Sequence, residues 1–297
     1  MKLKQSIYLF IVASMAVALL QSCGSSSGDK DKNSEEFKAA GESLDKQIEE
    51  VVYNMPSPTE IPGILQTTGA EFNQALLNSK ANADKYLARN DKAALNLGVY
   101  VADIGYLISY DKTQEAIDYL EICKNLGNNL NVIGSFDAGI LQRFEKNISN
   151  KDSLSRLLDN AVKHTDNYLK NDDRTKLAAL FVTGSFVEGL YISTGLVKTY
   201  PKNLLPDDER NLVLTPIIQV VLQQKKSVAE LLNLLTSVDQ TAPVVSIVAD
   251  LKKLETTYAA MNIEEQIHNN RADLVLSDKN LLEVTNIVER MRNGVIE

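Results

Sequence analysis

Asn90–Tyr110 reads NDKAALNLGVYVADIGYLISY, and the placing of its apolar residues decides the fold. Ala93, Ala94, Leu95, Leu97, Val99, Val101, Ala102, Ile104, Leu107 and Ile108 fall on nearly every side of a helical wheel rather than on one stripe. A helix that is apolar all round has to lie among other helices. Thr113 to Leu126 follows after a short turn with Ile117, Leu120 and Cys123 in phase, so the two stretches form a helical hairpin. Asp111 to Gln114 is the expected N-terminal cap of the second helix.

Outward from this hairpin the helical period continues in both directions. Phe37, Ala40, Leu44, Ile48 and Val51 mark a helix from Ser34, which Met55-Pro56-Ser57-Pro58 stops. A second is expected from Pro62 to about Asn78, and Lys80–Arg89 fits no template. Downstream, helices are expected at Ser135–Asn147, Ser153–Leu169 and Arg174–Gly195. Thr215-Pro216 reads as an N-cap and first-turn proline for a helix through Leu235. Two more follow, from Val244 to Met261 and from Ser277 through Leu281, Val284, Val288 and Met291. No run alternates with the period of a strand. The fold class is therefore all-α, an antiparallel helical bundle or irregular helical array of about ten helices.

Two of these helices carry a single acid inside an apolar stretch. Asp103 shares a face with Asn96 and Tyr110 and lies near Tyr100 and Tyr106 at i±3; Glu188 lies among Phe186, Val187, Leu190 and Tyr191, with Gly184, Ser185 and Gly195 on its side. A buried charge without partners is costly, so each acid needs hydroxyls, a basic side chain, a ligand or a raised pKa. The small residues beside Glu188 allow another helix to approach its carboxylate. One reading brings Asp103, Glu188, Tyr100, Tyr106 and Tyr191 together around a cationic or hydroxylated small ligand; the other closes each acid by internal hydrogen bonds.

Enzymatic signatures are sparse. Glu265-Gln266-Ile267-His268 has the spacing of a carboxylate-bundle metal site, but such sites need a second copy, and His164 follows Ala-Val-Lys. Ser43-Leu44-Asp45-Lys46 has a serine–lysine spacing without its companion motifs. There is no Gly-x-Ser-x-Gly elbow, P-loop, Gly-x-Gly-x-x-Gly or paired Cys-x-x-Cys, so neither a metal nor a cofactor is expected. A hydrolase-like or metal-dependent enzyme using Asp103 and Glu188 is the competing functional reading.

The chain's start reads as an address. Lys2 and Lys4 precede an apolar run from Ile7 to Leu20, too short for a membrane-spanning helix, which needs about 20 residues. Leu20-Gln21-Ser22-Cys23 closes it. This order resembles the signal peptide and lipobox of bacterial lipoproteins, which implies cleavage before Cys23 and acylation of its sulfur. By the same resemblance, Gly24 in place of aspartate favours the outer membrane, with the leaflet open. The remainder resembles the all-helical lipoproteins of Gram-negative envelopes, a resemblance that implies a location and no reaction. The expected organisation is a signal peptide over 1–22, a polar tether over 23–33 (GSSSGDKDKN after the cysteine) and an all-helical domain over 34–297.

Loss of Lys2 and Lys4 with residues 1–22 leaves 29 basic against 39 acidic residues, a net charge of −10. Nucleic acid is excluded as a partner, because a polyanion requires a basic stripe. Attachment to the membrane must come from acyl chains on Cys23 rather than from charge. Cys123 then has no partner and reads as a small buried hydrophobe. The expected function is binding or scaffolding at the envelope, with a protein partner or a small ligand.

Overall fold

The computed structural model describes residues 44, 46–48, 51, 59–67, 69–132, 138–171, 174–199, 206–261 and 279–297. Cys23, the signal and tether, Ser43 and the Glu265–His268 stretch lie outside these residues. Leu44–Glu297 forms one compact unit. Nine α-helices and two 3-10 turns are described from end to end, residues 44, 46–48 and 51 are also helical, and no strand occurs among the described residues, so the fold is all-α. The helices are α1 (Glu60–Thr67), α2 (Asn90–Ser109), α3 (Thr113–Asn129), α4 (Ala138–Lys146), α5 (Lys151–Asn171), α6 (Thr175–Thr199), α7 (Asp207–Thr236), α8 (Ala242–Ala260) and α9 (Lys279–Ile296).

α2 and α6 are the axis of the packing. Every residue of α2 from Ala93 to Ser109 is buried, as an all-round apolar sequence requires. α6 is long and apolar enough to cross a membrane, yet 89% of its most apolar window is buried inside the fold. Its hydroxyls are satisfied locally: Thr183 and Thr194 donate to the carbonyls of Ala179 and Leu190, four residues back.

Glycine sets how closely these two helices approach. A methyl group on Gly184 would stand 1.8 Å from the Leu95 carbonyl oxygen, and one on Gly98 would stand 2.1 Å from that of Phe181. The two backbones therefore touch. Leu95 faces Gly184 and Asp103 faces Glu188, so α2 and α6 run in the same direction. α9 runs antiparallel to α6, pairing Glu188 with Arg292 and Lys198 with Glu289. α8 lies antiparallel on α9 through Asp250–Arg290 and Lys253–Glu283.

Several boundaries differ from the sequence expectation, each for a local reason. α1 ends at Thr67 instead of reaching Asn78, because Gly69 takes a left-handed φ of 90° and turns the chain away. The following segment forms two 3-10 turns, Gln74–Leu76 and Lys80–Tyr86, capped by the side chains of Asn73 and Ser79. Asp111 is not an N-cap. It takes a left-handed φ of 57° past the end of α2, where Lys112 N–H donates to Leu107 O and Asp111 N–H to Ile108 O. That closes α2 with a Schellman motif, and Asn131 closes α3 the same way. α7 begins at Asp207 and runs through Thr215-Pro216. Asp207-Asp208-Glu209, acids favoured by the positive end of a helix, was the better start signal.

Candidate functional site

The two buried acids converge. Asp103 on α2 and Glu188 on α6 are both fully buried, with their carboxyl groups beside each other. The close approach at Gly98 and Gly184, about one turn before each acid, makes this possible. Arg292 on α9, only 6% exposed, completes the group. Its Nε donates to Glu188 Oε2 at 3.0 Å and its second nitrogen to Oε1 at 3.1 Å, a bidentate pair. The guanidinium also lies over the Tyr191 ring, 4.6 Å from its centroid.

The protonation state follows from the donors available. Asp103 Oδ2 accepts the Asn78 backbone N–H at 3.1 Å. No N–H or hydroxyl donor reaches Asp103 Oδ1, and its neighbour is the carboxylate that Arg292 holds. Two bare carboxylates cannot share that space, so Asp103 carries the proton and gives it in a hydrogen bond to Glu188. Burial first, and the Glu188 charge second, push the Asp103 carboxyl well above the usual range. Burial raises Glu188 too, while the Arg292 charge and hydrogen bonds pull it back, which leaves Glu188 as the ionised member. The cluster is thus neutral Asp103, Glu188 carboxylate and Arg292 guanidinium, with no net charge inside the core.

Around it, tyrosines hold the irregular 73–86 segment against α2 and α3. Tyr100 donates to Ser79 O at 2.9 Å, Tyr119 donates to Asn78 O at 2.8 Å, and the Tyr106 hydroxyl accepts Asn73 N–H at 2.7 Å. The hydroxyls of Tyr100 and Tyr106 are therefore occupied by backbone, not turned toward Asp103. Burial pushes Tyr106 up to about 12. Tyr86 accepts from Asn78 Nδ2 at 3.2 Å and donates to Ile296 O at 2.8 Å. Asn96 donates to Val295 O at 3.1 Å. Two carbonyls that a helix end leaves without partners are thus taken by side chains from the core.

Of the residues expected to meet, Asp103, Glu188 and Tyr191 form one contiguous group, and Tyr191 alone of the three reaches solvent. His164 is exposed on α5 and does not join the buried acids. Among the described residues no group of three metal-ligating side chains occurs. Cys123 is fully buried beside the cluster, and burial pushes its thiol well up, which makes it unreactive. Sequence reasoning missed Arg292, Asn78, Tyr86 and Tyr119. Arg292 was legible: it stands four residues after Val288 and three before Val295, inside the apolar stripe of α9.

Behind Tyr191 the cluster is sealed; in front of it the seam between α6 and α9 opens into a cleft of about 200 Å³. Leu76, Tyr191, Gly195, Lys198, Thr285 and Glu289 are among the residues that line it, as are Asn73 and Ala75. No family model matches the chain, and no curated protein or solved structure is significantly similar to it.

Proposed function

We propose that this protein is held at the outer membrane of a bacterial envelope by acyl chains on Cys23 and that its helical unit binds a protein partner or a small ligand rather than breaking bonds. The anchoring rests on the charged start, the short apolar run and Leu20-Gln21-Ser22-Cys23. One structural observation supports binding over hydrolysis: Asp103 and Glu188, the acids an enzymatic reading depends on, are spent on each other, on Asn78 and on Arg292, with no exposed surface. General acid–base work requires a carboxyl within hydrogen-bond reach of a substrate, and neither acid offers that reach.

Metabolic labelling with a palmitate analogue tests the anchoring. Label on the full chain, absent from Cys23→Ala together with loss of the protein from the membrane fraction, is the expected result. An unlabelled chain, or label that survives Cys23→Ala, overturns it.

A further inference from the structure

The cleft on the outer face of the α6–α9 seam leaves some of its lining chemistry unspent. Its threonines are committed to their own helices: Thr194 donates to Leu190 O, Thr199 to Gly195 O and Thr285 to Leu281 O. The Asn73 side-chain oxygen is taken by Ala75 N–H. What these residues present to the cleft is chiefly methyl and methylene surface, next to Leu76, the Tyr191 ring and Gly195. At Gly195 a methyl group would stand 2.6 Å from Leu76 Cδ2, so the absent side chain is what leaves room for Leu76 here.

One opposite-charge pair remains at this lining. Lys198 Nζ and Glu289 Oε2 stand 3.8 Å apart, with about half of each side chain exposed, at 53% and 48%. That separation is long for a charge-assisted hydrogen bond, which closes to about 2.8 Å. Both groups keep hydrogen-bonding capacity for a molecule that offers a carboxylate to Lys198 and an ammonium to Glu289. The volume, about 200 Å³, is below the range of about 300–1,000 Å³ that drug-sized ligands need. It suits a body of amino-acid size. The rear face of Tyr191 is already covered by the Arg292 guanidinium, so the ring is not available on that side as a platform for a ligand cation.

We infer that the α6–α9 cleft binds a small zwitterion with an apolar side chain, a free α-amino acid of the leucine or methionine type. Lys198 takes the carboxylate, Glu289 takes the ammonium, and Leu76, Tyr191 and Gly195 take the side chain. This inference rests on the binding-protein reading and names its site and ligand class.

Isothermal titration of the full chain in detergent tests it, with L-leucine and L-methionine as probes and 4-methylpentanoate and isopentylamine as single-charge controls. Saturable binding of an amino acid, weakened about tenfold or more by Lys198→Ala and by Glu289→Gln and about tenfold for either control, is expected. Both variants alter a half-exposed pair that contributes little to stability, so their melting curves should overlay the parent and exclude misfolding as the cause. No heat from either amino acid, equal binding of a control, or binding that both variants leave unchanged overturns the inference. None of these outcomes touches the palmitate result, so failure of the cleft and failure of the anchor remain distinguishable.

Discussion

Arg292 and Glu188 meet through two parallel hydrogen bonds of 3.0 and 3.1 Å across 104 residues of chain, both side chains inside the core. Through this pair α9 is fastened to α6 by charge, while its Val284, Val288 and Val295 are buried in the common core. Breaking it from one side leaves the other ion buried alone. Arg292→Met and Glu188→Gln are each expected to lower unfolding free energy by about 3–5 kcal/mol, and the double variant to cost less than the two added together. Urea unfolding of the four proteins measures the coupling; strict additivity would show that the pair contributes nothing as a pair.

Asp103 predicts an unusual pH dependence. Its folded pKa is raised, so the native state holds this proton more tightly than the unfolded chain does. The contribution is complete below the ordinary aspartate value, about 3.9, and is lost as pH rises from there through the folded pKa, with a limiting slope of about 1.4 kcal/mol per pH unit. Asp103→Asn keeps an acceptor for Asn78 N–H and supplies an amide donor to Glu188 without a titrating proton. The variant should therefore gain on the parent between pH 5 and pH 8. Parallel stability curves over that window would mean that Asp103 is already ionised.

The crossing of α2 and α6 has no room for a methyl group. Gly184→Ala would drive its Cβ to 1.8 Å from the Leu95 carbonyl oxygen, which is backbone and cannot swing aside. A loss of about 3 kcal/mol or more in unfolding free energy is expected, at or above the upper end for overpacked cores. Gly189→Ala on the same helix meets nothing within 4 Å and is the control, expected to be neutral or slightly stabilising.

Tyr86→Phe removes the hydroxyl that the Ile296 carbonyl accepts and that Asn78 Nδ2 donates to. About 1–2 kcal/mol should be lost, the cost of a buried hydrogen bond left open. Hydrogen exchange should quicken in the closing turn of α9 before it changes in α2. Uniform acceleration everywhere would instead point to global destabilisation.

The class of fold was legible because it rests on periodicity, which burial enforces over many residues: α2 and α6 were readable from their apolar runs alone. The junctions were not. Asp111 carries the same composition whether it caps the start of α3 or takes the left-handed position after α2, and only the hydrogen bonds to Leu107 and Ile108 decide between them. Pro216 read as a helix start because proline favours that position, while the acids at 207–209 that carry the dipole argument lay seven to nine residues earlier. At the site, the anomaly of an acid in an apolar helix identified Asp103 and Glu188 correctly as a place where a local rule is broken. Arg292 stood out in the apolar stripe of α9, but its pairing with Glu188 was hidden because α9 comes far along the chain, and Asn78 was hidden because it acts through its backbone.

The guanidinium that neutralises Glu188 is contributed by α9, downstream of every other described helix. During synthesis the acid emerges from the ribosome long before its counter-ion does. A chain arrested ahead of residue 292 could pack α2 on α6 only by enclosing an unmatched carboxylate, a penalty of several kcal/mol against a total stability of about 5–15. A chain that ends before residue 292 should therefore fold less stably than the full chain, because α6 would enclose an acid whose counter-ion is missing.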